Sequence, residues 1–211
     1  MGNACRTVVV VVLLLVPAAP ARAASLPAGT TALVSGAASL LAPLPTPVGR
    51  SVSAEETVSQ AGGRVAFVST SDGLSAEDDD AVVNVYVRDV ATGAVLLASR
   101  RTGASGAPAG DSCFDPALSD DGTRVAFVCS GPLDPADTNA GDDVYVRDLG
   151  AQATYLVSRR TGLGPVGDSG SGSPSLSADG TYVAFESEAT NLLATPTESD
   201  RIYRRRIGGG D

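Results

Sequence analysis

The stretch Asp115–Gly162 reads DPALSDDGTRVAFVCSGPLDPADTNAGDDVYVRDLGAQATYLVSRRTG, and its parts recur on both sides of it along the chain. The tripeptide VAF begins at Val65, Val125 and Val183, which are 60 and then 58 residues apart. VYVRD and SRRTG each occur twice at nearly the same interval. A period of this size, carried by strand-like segments, is typical of a propeller blade, so the sequence predicts a fold built from repeats.

Each repeat divides into four short strands, called A to D here in chain order. In the central copy, strand A runs into Asp121-Gly122, a pair that favours a type I′ hairpin turn. In strand B, Val125 and Phe127 fall on one face and Ala126 on the other, as the alternation of a strand requires. The predicted strands of the central copy are Phe114–Ser119, Arg124–Cys129, Asp143–Asp148 and Ala153–Arg159.

The flanking copies follow the same plan, although the third copy lacks a strand D. A candidate for the missing strand lies near the N-terminus, where Thr31–Ser35 (TALVS) is similar to Thr154–Ser158 (TYLVS). The other predicted strands are Glu56–Ser59, Arg64–Ser69, Asn84–Asp89, Val95–Arg100, Pro174–Ser177, Tyr182–Ser187 and Arg201–Arg206.

The sequence therefore predicts an all-β fold of about three four-stranded antiparallel propeller blades, with the N-terminal strand completing the last blade. The expected segments are a signal peptide at 1–23, an N-terminal strand and Pro/Ala-rich loop at 24–50, and blades at 51–110, 111–170 and 171–207. Propellers typically have four to eight blades. Three assemblies stay open: a homodimer that completes a six-bladed ring, a truncated piece of a longer propeller, or a three-sheet ring or open arc that needs a partner.

Composition excludes several classes of function. The net charge is −9, which argues against nonspecific binding to nucleic acid or to anionic lipid. The chain contains no His and no Lys, so the usual serine-hydrolase triad, a Schiff base and a P-loop are all excluded. No catalytic residue and no organic cofactor is indicated.

The N-terminus has the pattern of an export signal. Arg6 precedes the apolar run Val8–Val16, which is too short to span a bilayer comfortably. Ala21-Arg22-Ala23 follows as an A-x-A cleavage site, so we expect cleavage after Ala23 and no stable membrane span in the mature chain. An uncleaved anchor is the alternative. Export places the protein in the periplasm, in the cell envelope or outside the cell.

Cys113 and Cys129 flank the Asp121-Gly122 turn, and an oxidising compartment favours a disulfide between them. The register is off by one residue, because a hairpin that pairs Ser119 with Arg124 places Cys113 opposite Ser130. A β-bulge near Pro116 would absorb the extra residue. Two buried free thiols are the alternative.

Three segments together resemble a known repeat: PSLSADGTYVAF at Pro174–Phe185, DPALSDDGTRVAF at Asp115–Phe127 and DVYVRDL at Asp143–Leu149. They are similar to the TolB-type, WD40-like (PD40) β-propeller repeat of exported bacterial proteins, over nearly all of residues 51–207. The resemblance implies the fold, and by analogy it implies a role in protein–protein contacts in the cell envelope.

The acidic loop before strand C is the sharpest candidate for a ligand site. Asp and Asn at alternating positions beside a glycine supply the oxygen ligands that Ca²⁺ prefers. The simpler interpretation is that these side chains cap turns through backbone bonds. The predicted Ca²⁺ ligands, in equivalent positions of the second and first copies, are Asp137, Asn139 and Asp143, and Asp78, Asp80 and Asn84.

Other polar side chains at repeated positions have structural interpretations. The arginine pairs that begin at Arg100 and Arg159 follow strand D, where exposed charge would deter edge-to-edge pairing; anion sites are the alternative. Tyr86, Tyr145 and Tyr203 share one position in strand C and are expected to pack within the blades.

These expectations combine into an exported scaffold that binds an unidentified protein partner, without catalysis. The binding loops would lie at Pro132–Asp142 and Thr190–Asp200 on one face. The alternatives are a propeller lyase or hydrolase with a Ca²⁺-supported site, and a truncated fragment.

Overall fold

The computed structural model describes residues 57–71, 73–78, 81–196 and 198–208, and within these ranges all regular elements are strands. No helix among these residues has the length and apolar character needed to cross a membrane. The predicted signal peptide 1–23 and the predicted strand Thr31–Ser35 lie outside the described residues. The strands are β1 Thr57–Val58, β2 Arg64–Ser69, β3 Asn84–Asp89, β4 Val95–Leu97, β5 Cys113–Leu118, β6 Arg124–Cys129, β7 Asp143–Asp148, β8 Ala153–Leu156, β9 Ser171–Leu176, β10 Tyr182–Ser187 and β11 Arg201–Arg206.

The strands form three antiparallel sheets in which chain neighbours pair with each other. Blade one has the order β1-β2-β3-β4, blade two β5-β6-β7-β8, and blade three β9-β10-β11. This is the predicted propeller-type architecture, and the predicted limits of every strand B and strand C are confirmed to the residue. The position of a fourth strand in blade three is not filled by the described residues.

The A–B hairpins do not have the predicted type I′ turn. Of the turn residues in blade two, Gly122 has a positive φ of 70° and Asp121 does not. The N–H of Gly122 donates to Ser119 O at 2.9 Å, and the N–H of Ser119 donates to Arg124 O at 2.9 Å. A type I′ turn needs positive φ at both central residues, so the four-residue connection is instead a tight turn followed by one left-handed glycine.

The predicted bulge near Pro116 is present and sets the register of the two cysteines. Pairing of β5 with β6 shifts between Phe114 and Ala117, and Asp115 has a φ of 54°. As a result Cys113 lies opposite Cys129 and the two are joined by a disulfide. The disulfide therefore joins β5 to β6 in blade two.

The blades pack face to face through two apolar clusters. The face of each blade that points toward the next blade is called its forward face; it carries two positions of strand B and two of strand C. In blade one these positions pack against Phe127 and Tyr145 of blade two, and in blade two they pack against Val183 and Phe185 of blade three. The eight forward-face residues of these two blades are Ala66, Val68, Val85, Val87, Ala126, Val128, Val144 and Val146, all buried.

Arginines at the start of strand B join consecutive blades. The guanidinium of Arg64 donates to Gly122 O at 2.7 Å, and that of Arg124 donates to Gly180 O at 2.7 Å. Tyr182 occupies the same position in blade three. The described part of the molecule is thus a row of three sheets in which blade two has a blade against each face.

Candidate functional site

The acidic loop folds over the tyrosine of strand C in the first two blades. In blade two, the hydroxyl of Tyr145 donates to a carboxylate oxygen of Asp137 and accepts from the N–H of Leu133 at 3.2 Å. In blade one, Tyr86 donates in the same way to Asp78. Both tyrosines are completely buried, which confirms their predicted packing role. Each acidic loop is held over its blade by a bond between this tyrosine and an aspartate.

A second bond ties the start of strand C to the end of strand D. In blade two, the hydroxyl of Ser158 donates to Asp143 Oδ1 at 2.6 Å and accepts from the N–H of Val144 at 2.9 Å. In blade one, the hydroxyl of Ser99 donates to Asn84 Oδ1 at 2.5 Å. In each blade the serine hydroxyl accepts the N–H of a strand C residue in place of a backbone carbonyl, so the regular ladder is interrupted and β4 and β8 end before the predicted limits of strand D.

The two blades differ at one atom of this network. In blade one, the amide nitrogen of Asn84 donates to Asp78 Oδ1 at 3.2 Å. In blade two, an aspartate stands in place of that asparagine, and the second carboxylate oxygen of Asp143 is buried without a hydrogen-bond partner among the described residues. A carboxylate oxygen cannot donate, so the contact with Asp137 lacks the hydrogen that the asparagine provides.

This difference changes the acidity of the site. Burial, together with the negative charge of Asp137, raises the pKa of Asp143 to about 7, although the bond from Ser158 opposes the shift. Burial and the bond to Asp137 also raise the pKa of Tyr145. A proton on the Asp143 carboxyl would allow it to donate to Asp137, as the amide of Asn84 donates to Asp78 in blade one.

Among the predicted Ca²⁺ ligands that the structure describes, Asp78 and Asn84 bond to each other in blade one, and Asp137 and Asp143 belong to the equivalent network of blade two. Asn139 donates to Gly167 O at 2.8 Å and accepts from the N–H of Gly141 at 2.8 Å, which is the turn-capping role weighed from the sequence. Asp80 lies outside the described residues. Within the described ranges, no group of three or more His, Cys, Asp or Glu side chains is placed to hold a metal ion. Calcium binding stays a prediction.

A cleft lies elsewhere, at the edge of the forward face of blade three. It has a volume of about 630 Å³ and is bordered by the ends of both loops that the sequence indicated as binding loops, at Asp142 and Asp200. Glu186, Glu188 and Arg201 also line it, so four carboxylates share the cleft with one guanidinium. The cleft is therefore suited to a cationic group.

The acidic side chains of the cleft are held by short serine contacts. The hydroxyl of Ser130 donates to Asp142 at 2.7 Å, and Ser173 donates to Glu186 at 3.2 Å. Glu186 was not among the site residues predicted from the sequence. The sequence does distinguish this residue, because Glu186 and Arg204 are charged at forward-face positions where blade two has Val128 and Val146.

The forward face of blade three is thus unlike that of the other two blades. Ile202 is 77% exposed, while its equivalent Val144 is fully buried. Glu186 and Arg204 are exposed, and the guanidinium of Arg204 lies 4.8 Å above the ring of Tyr182. A further blade packed in the same way would bury both charges, at a cost that apolar packing does not repay unless they are paired.

In the arginine pairs after strand D, the second arginine (Arg101, Arg160) is exposed as predicted, but the first is not an exposed edge charge. Arg100 is buried, forms an ion pair with Glu77 and donates to Gly106 O. Arg159 donates to Gly164 O at 2.9 Å. The first arginine of each pair closes the loop that leads to the next blade, because its side chain satisfies carbonyl groups of that loop.

Comparison with known proteins gives matches of fold only. No protein-family model and no curated protein matches the chain. Among solved structures, TolB from Acinetobacter baumannii matches with 18% identity and a TM-score of 0.42, over 74% of this chain and 30% of its own. A putative TolB from Agrobacterium tumefaciens matches with 14% identity and a TM-score of 0.46, over 75% of this chain and 44% of its own.

The tricorn protease matches with 12% identity and a TM-score of 0.43, over 64% of this chain and 11% of its own. The chain thus spans less than half of the length of each of these proteins. These matches agree with the predicted propeller-type fold, which rests on the two four-stranded sheets and the one three-stranded sheet of the described residues.

Proposed function

We propose that this chain is an extracytoplasmic binding module that engages a protein partner through the acidic cleft and the forward face of blade three. The main supporting observation is that the forward face of blade three is exposed, whereas the other two blades bury the equivalent residues. A cleft of about 630 Å³ lies beside that face. The partner contributes arginine or lysine side chains, since four carboxylates border the cleft.

Two features support a location outside the cytoplasm. The N-terminal sequence has the pattern of a cleaved export signal. The Cys113–Cys129 disulfide persists in oxidising compartments and is rare in reducing ones. Detection of the mature N-terminus at Ala24 in exported protein tests this part of the proposal, and a retained N-terminus in cytoplasmic protein would contradict it.

A binding role fits the titratable groups better than catalysis does. The groups with strongly raised pKa, Asp143 and Tyr145, are buried under the acidic loop of blade two and do not line the cleft. An acid and a base for a lyase or hydrolase would have to converge on a bound substrate. The enzymatic alternative stays a prediction without an observation that favours it.

The test uses fluorescence anisotropy with two labelled peptides of the same length, one rich in arginine and one rich in glutamate. We expect the arginine peptide to bind and the glutamate peptide not to bind, with weaker binding at higher salt because the cleft is open to solvent. Glu186→Gln with Glu188→Gln should weaken binding about tenfold. Asp120→Asn, which removes one charge from an exposed turn away from the cleft, is the control.

Two results would overturn the proposal. Equal binding of both peptides would show that charge does not select the ligand. The cleft variant removes two charges and the control one, so a loss of binding free energy in the control that is half as large or larger would show a general effect of net charge and no site at the cleft.

A further inference from the structure

Blade three lacks a described neighbour at the outer edge of β11, where the other blades have strand D. In blade two, the N–H of Val157 donates to Val144 O at 2.9 Å, and the hydroxyl of Ser158 accepts from the N–H of Val144 at 2.9 Å. Ile202 of β11 has the position of Val144. Its backbone groups therefore point to the edge along which an equivalent strand would lie.

The leucine of strand D is the main apolar contact of that strand in blades one and two. In blade two, Leu156 belongs to one buried cluster with Phe127, Leu133 and Tyr145. In blade one, Leu97 is buried in a cluster of the same composition. Strand D is thus held by a leucine that enters a pocket formed by a phenylalanine, a tyrosine and a loop leucine.

Blade three has the walls of this pocket around an open space. A cleft of about 230 Å³ lies beside β11 and is lined by Phe185, Leu192 and Tyr203, the equivalents of the three residues that surround the leucine in blade two. Val157 forms another wall, as Ala98 does in the cluster of blade two. The cleft is therefore a leucine site.

A threonine contact marks the start of the same strand. The hydroxyl of Thr102 donates to Thr154 O at 3.0 Å and accepts from the N–H of Thr154 at 3.0 Å, which joins blade one to strand D of blade two. Thr161 is the equivalent of Thr102 one blade later, and it lines the cleft beside β11. The cleft thus repeats both the apolar and the polar contacts that receive a strand of the pattern Thr-x-Leu-x-Ser.

We propose that Thr31–Ser35 of the same chain lies antiparallel to β11, with Leu33 in this cleft. The segment has Thr, Leu and Ser at the spacing found in Thr154–Ser158. In the register of blade two, Thr31 reaches Thr161, and Ser35 receives the N–H of Ile202. The 21 residues between Ser35 and Thr57 can span about 70 Å, which exceeds the length of a blade several times.

Disulfide trapping tests the register directly. The register places residue 32 opposite residue 204, so the full chain with Cys5→Ser, Ala32→Cys and Arg204→Cys should form an intramolecular disulfide when oxidised, identified by peptide mass mapping. The matched control moves one cysteine six residues along the segment, with Ala38→Cys in place of Ala32→Cys. We expect at least a tenfold lower yield of the link in the control.

A second measurement does not depend on new cysteines. Leu33→Asp should lower the melting temperature by about 5 °C, because a charge cannot occupy the leucine site. Leu41→Asp, six residues beyond Ser35 and outside the paired segment, should change it by less than about 1 °C. A link between two chains, equal yields for the two cysteine pairs, or equal melting temperatures for the two aspartate variants would each overturn the proposal.

Discussion

The guanidinium of Arg124 donates to the backbone carbonyl of Gly180 at 2.7 Å and so connects blade two to the hairpin turn of blade three. Gly180 has a positive φ of 64°, and a Cβ atom there would lie 3.0 Å from Arg124 Cδ. Arg64 and Gly122 repeat the arrangement between blades one and two. The glycine that ends each turn thus also permits the approach of the arginine that spaces the blades.

Replacing this arginine tests how much the contact between blades stabilises the fold. Arg124→Met keeps most of the aliphatic stem but loses the bond to Gly180 and the ion pair with Asp148. We expect the free energy of unfolding to fall by about 1 to 2 kcal/mol, measured by urea denaturation. Arg160→Met, at an exposed position, is the control and should change it by less than about 0.5 kcal/mol. Equal effects of the two variants would contradict a specific inter-blade bond.

The raised pKa of Asp143 predicts an unusual dependence of stability on pH. Its folded-state pKa of about 7 lies above its ordinary value of 3.8, so between these values the folded state binds one more proton than the unfolded chain. The free energy of unfolding should therefore fall as pH rises from about 4 to about 7, by about 2 to 4 kcal/mol, and this contribution should be level above pH 7. Urea denaturation at pH 5, 6, 7 and 8 measures it.

Asp143→Asn is the matched variant, because blade one already has asparagine at this position. The amide should donate to Asp137 as Asn84 donates to Asp78, which removes the need for a proton. We expect the variant to be more stable than the natural chain at pH 8, similar at pH 5, and without the slope between them. An unchanged slope in the variant would show that another group titrates.

Binding of Ca²⁺ would be a different way to neutralise the buried second carboxylate oxygen of Asp143. Isothermal titration of metal-free protein with CaCl₂ at pH 8 tests the predicted ligands Asp137, Asn139 and Asp143. If Ca²⁺ binds there, the melting temperature should rise with its concentration, and Asp143→Asn should abolish the rise. No heat and no shift in melting temperature would contradict the calcium hypothesis. The buried oxygen of Asp143 would then be neutralised by a proton shared with Asp137. MgCl₂ is the control for a nonspecific effect of ionic strength.

The charged forward face of blade three predicts low self-association through that face. Restoring the residues of blade two with Glu186→Val and Arg204→Val would give it an apolar surface like those that the other blades bury. We expect the double variant to form dimers or larger species at concentrations where the natural chain keeps its mass, measured by light scattering during gel filtration. A natural chain that is already a dimer, and stays one in the variant, would favour the six-bladed assembly.

Much of the fold could be predicted because strand B and strand C alternate regularly. The apolar residues of Arg124–Cys129 and Asp143–Asp148 fix both the limits and the faces of these strands. Strand A was harder, because β5 continues through the bulge at Asp115-Pro116 and starts earlier than predicted. A β-bulge depends on a backbone conformation that proline only suggests.

The site was predicted less completely, for a different reason. The sequence aligned Asp137 with Asp78 and Asp143 with Asn84, but it did not show that the loop folds over Tyr145 and buries these groups. Burial is a property of the folded loop, and it converts an exposed cluster of acids into a buried pair in which the pKa of Asp143 is raised. The sequence shows glutamate at position 186, where blade two has Val128. That this glutamate lies on an exposed forward face becomes clear only when the structures of the blades are compared.

The packing of blade two against a neighbour on each side has a consequence for folding kinetics. A row of sheets in which each contacts only the next behaves as a one-dimensional array, where the order of unfolding follows the number of interfaces. The middle sheet has two interfaces, and the Cys113–Cys129 bond also restricts its unfolded ensemble. Amide hydrogen exchange should therefore be slowest in β6 and β7, and opening should begin in blades one and three, which have one interface each, and travel inward.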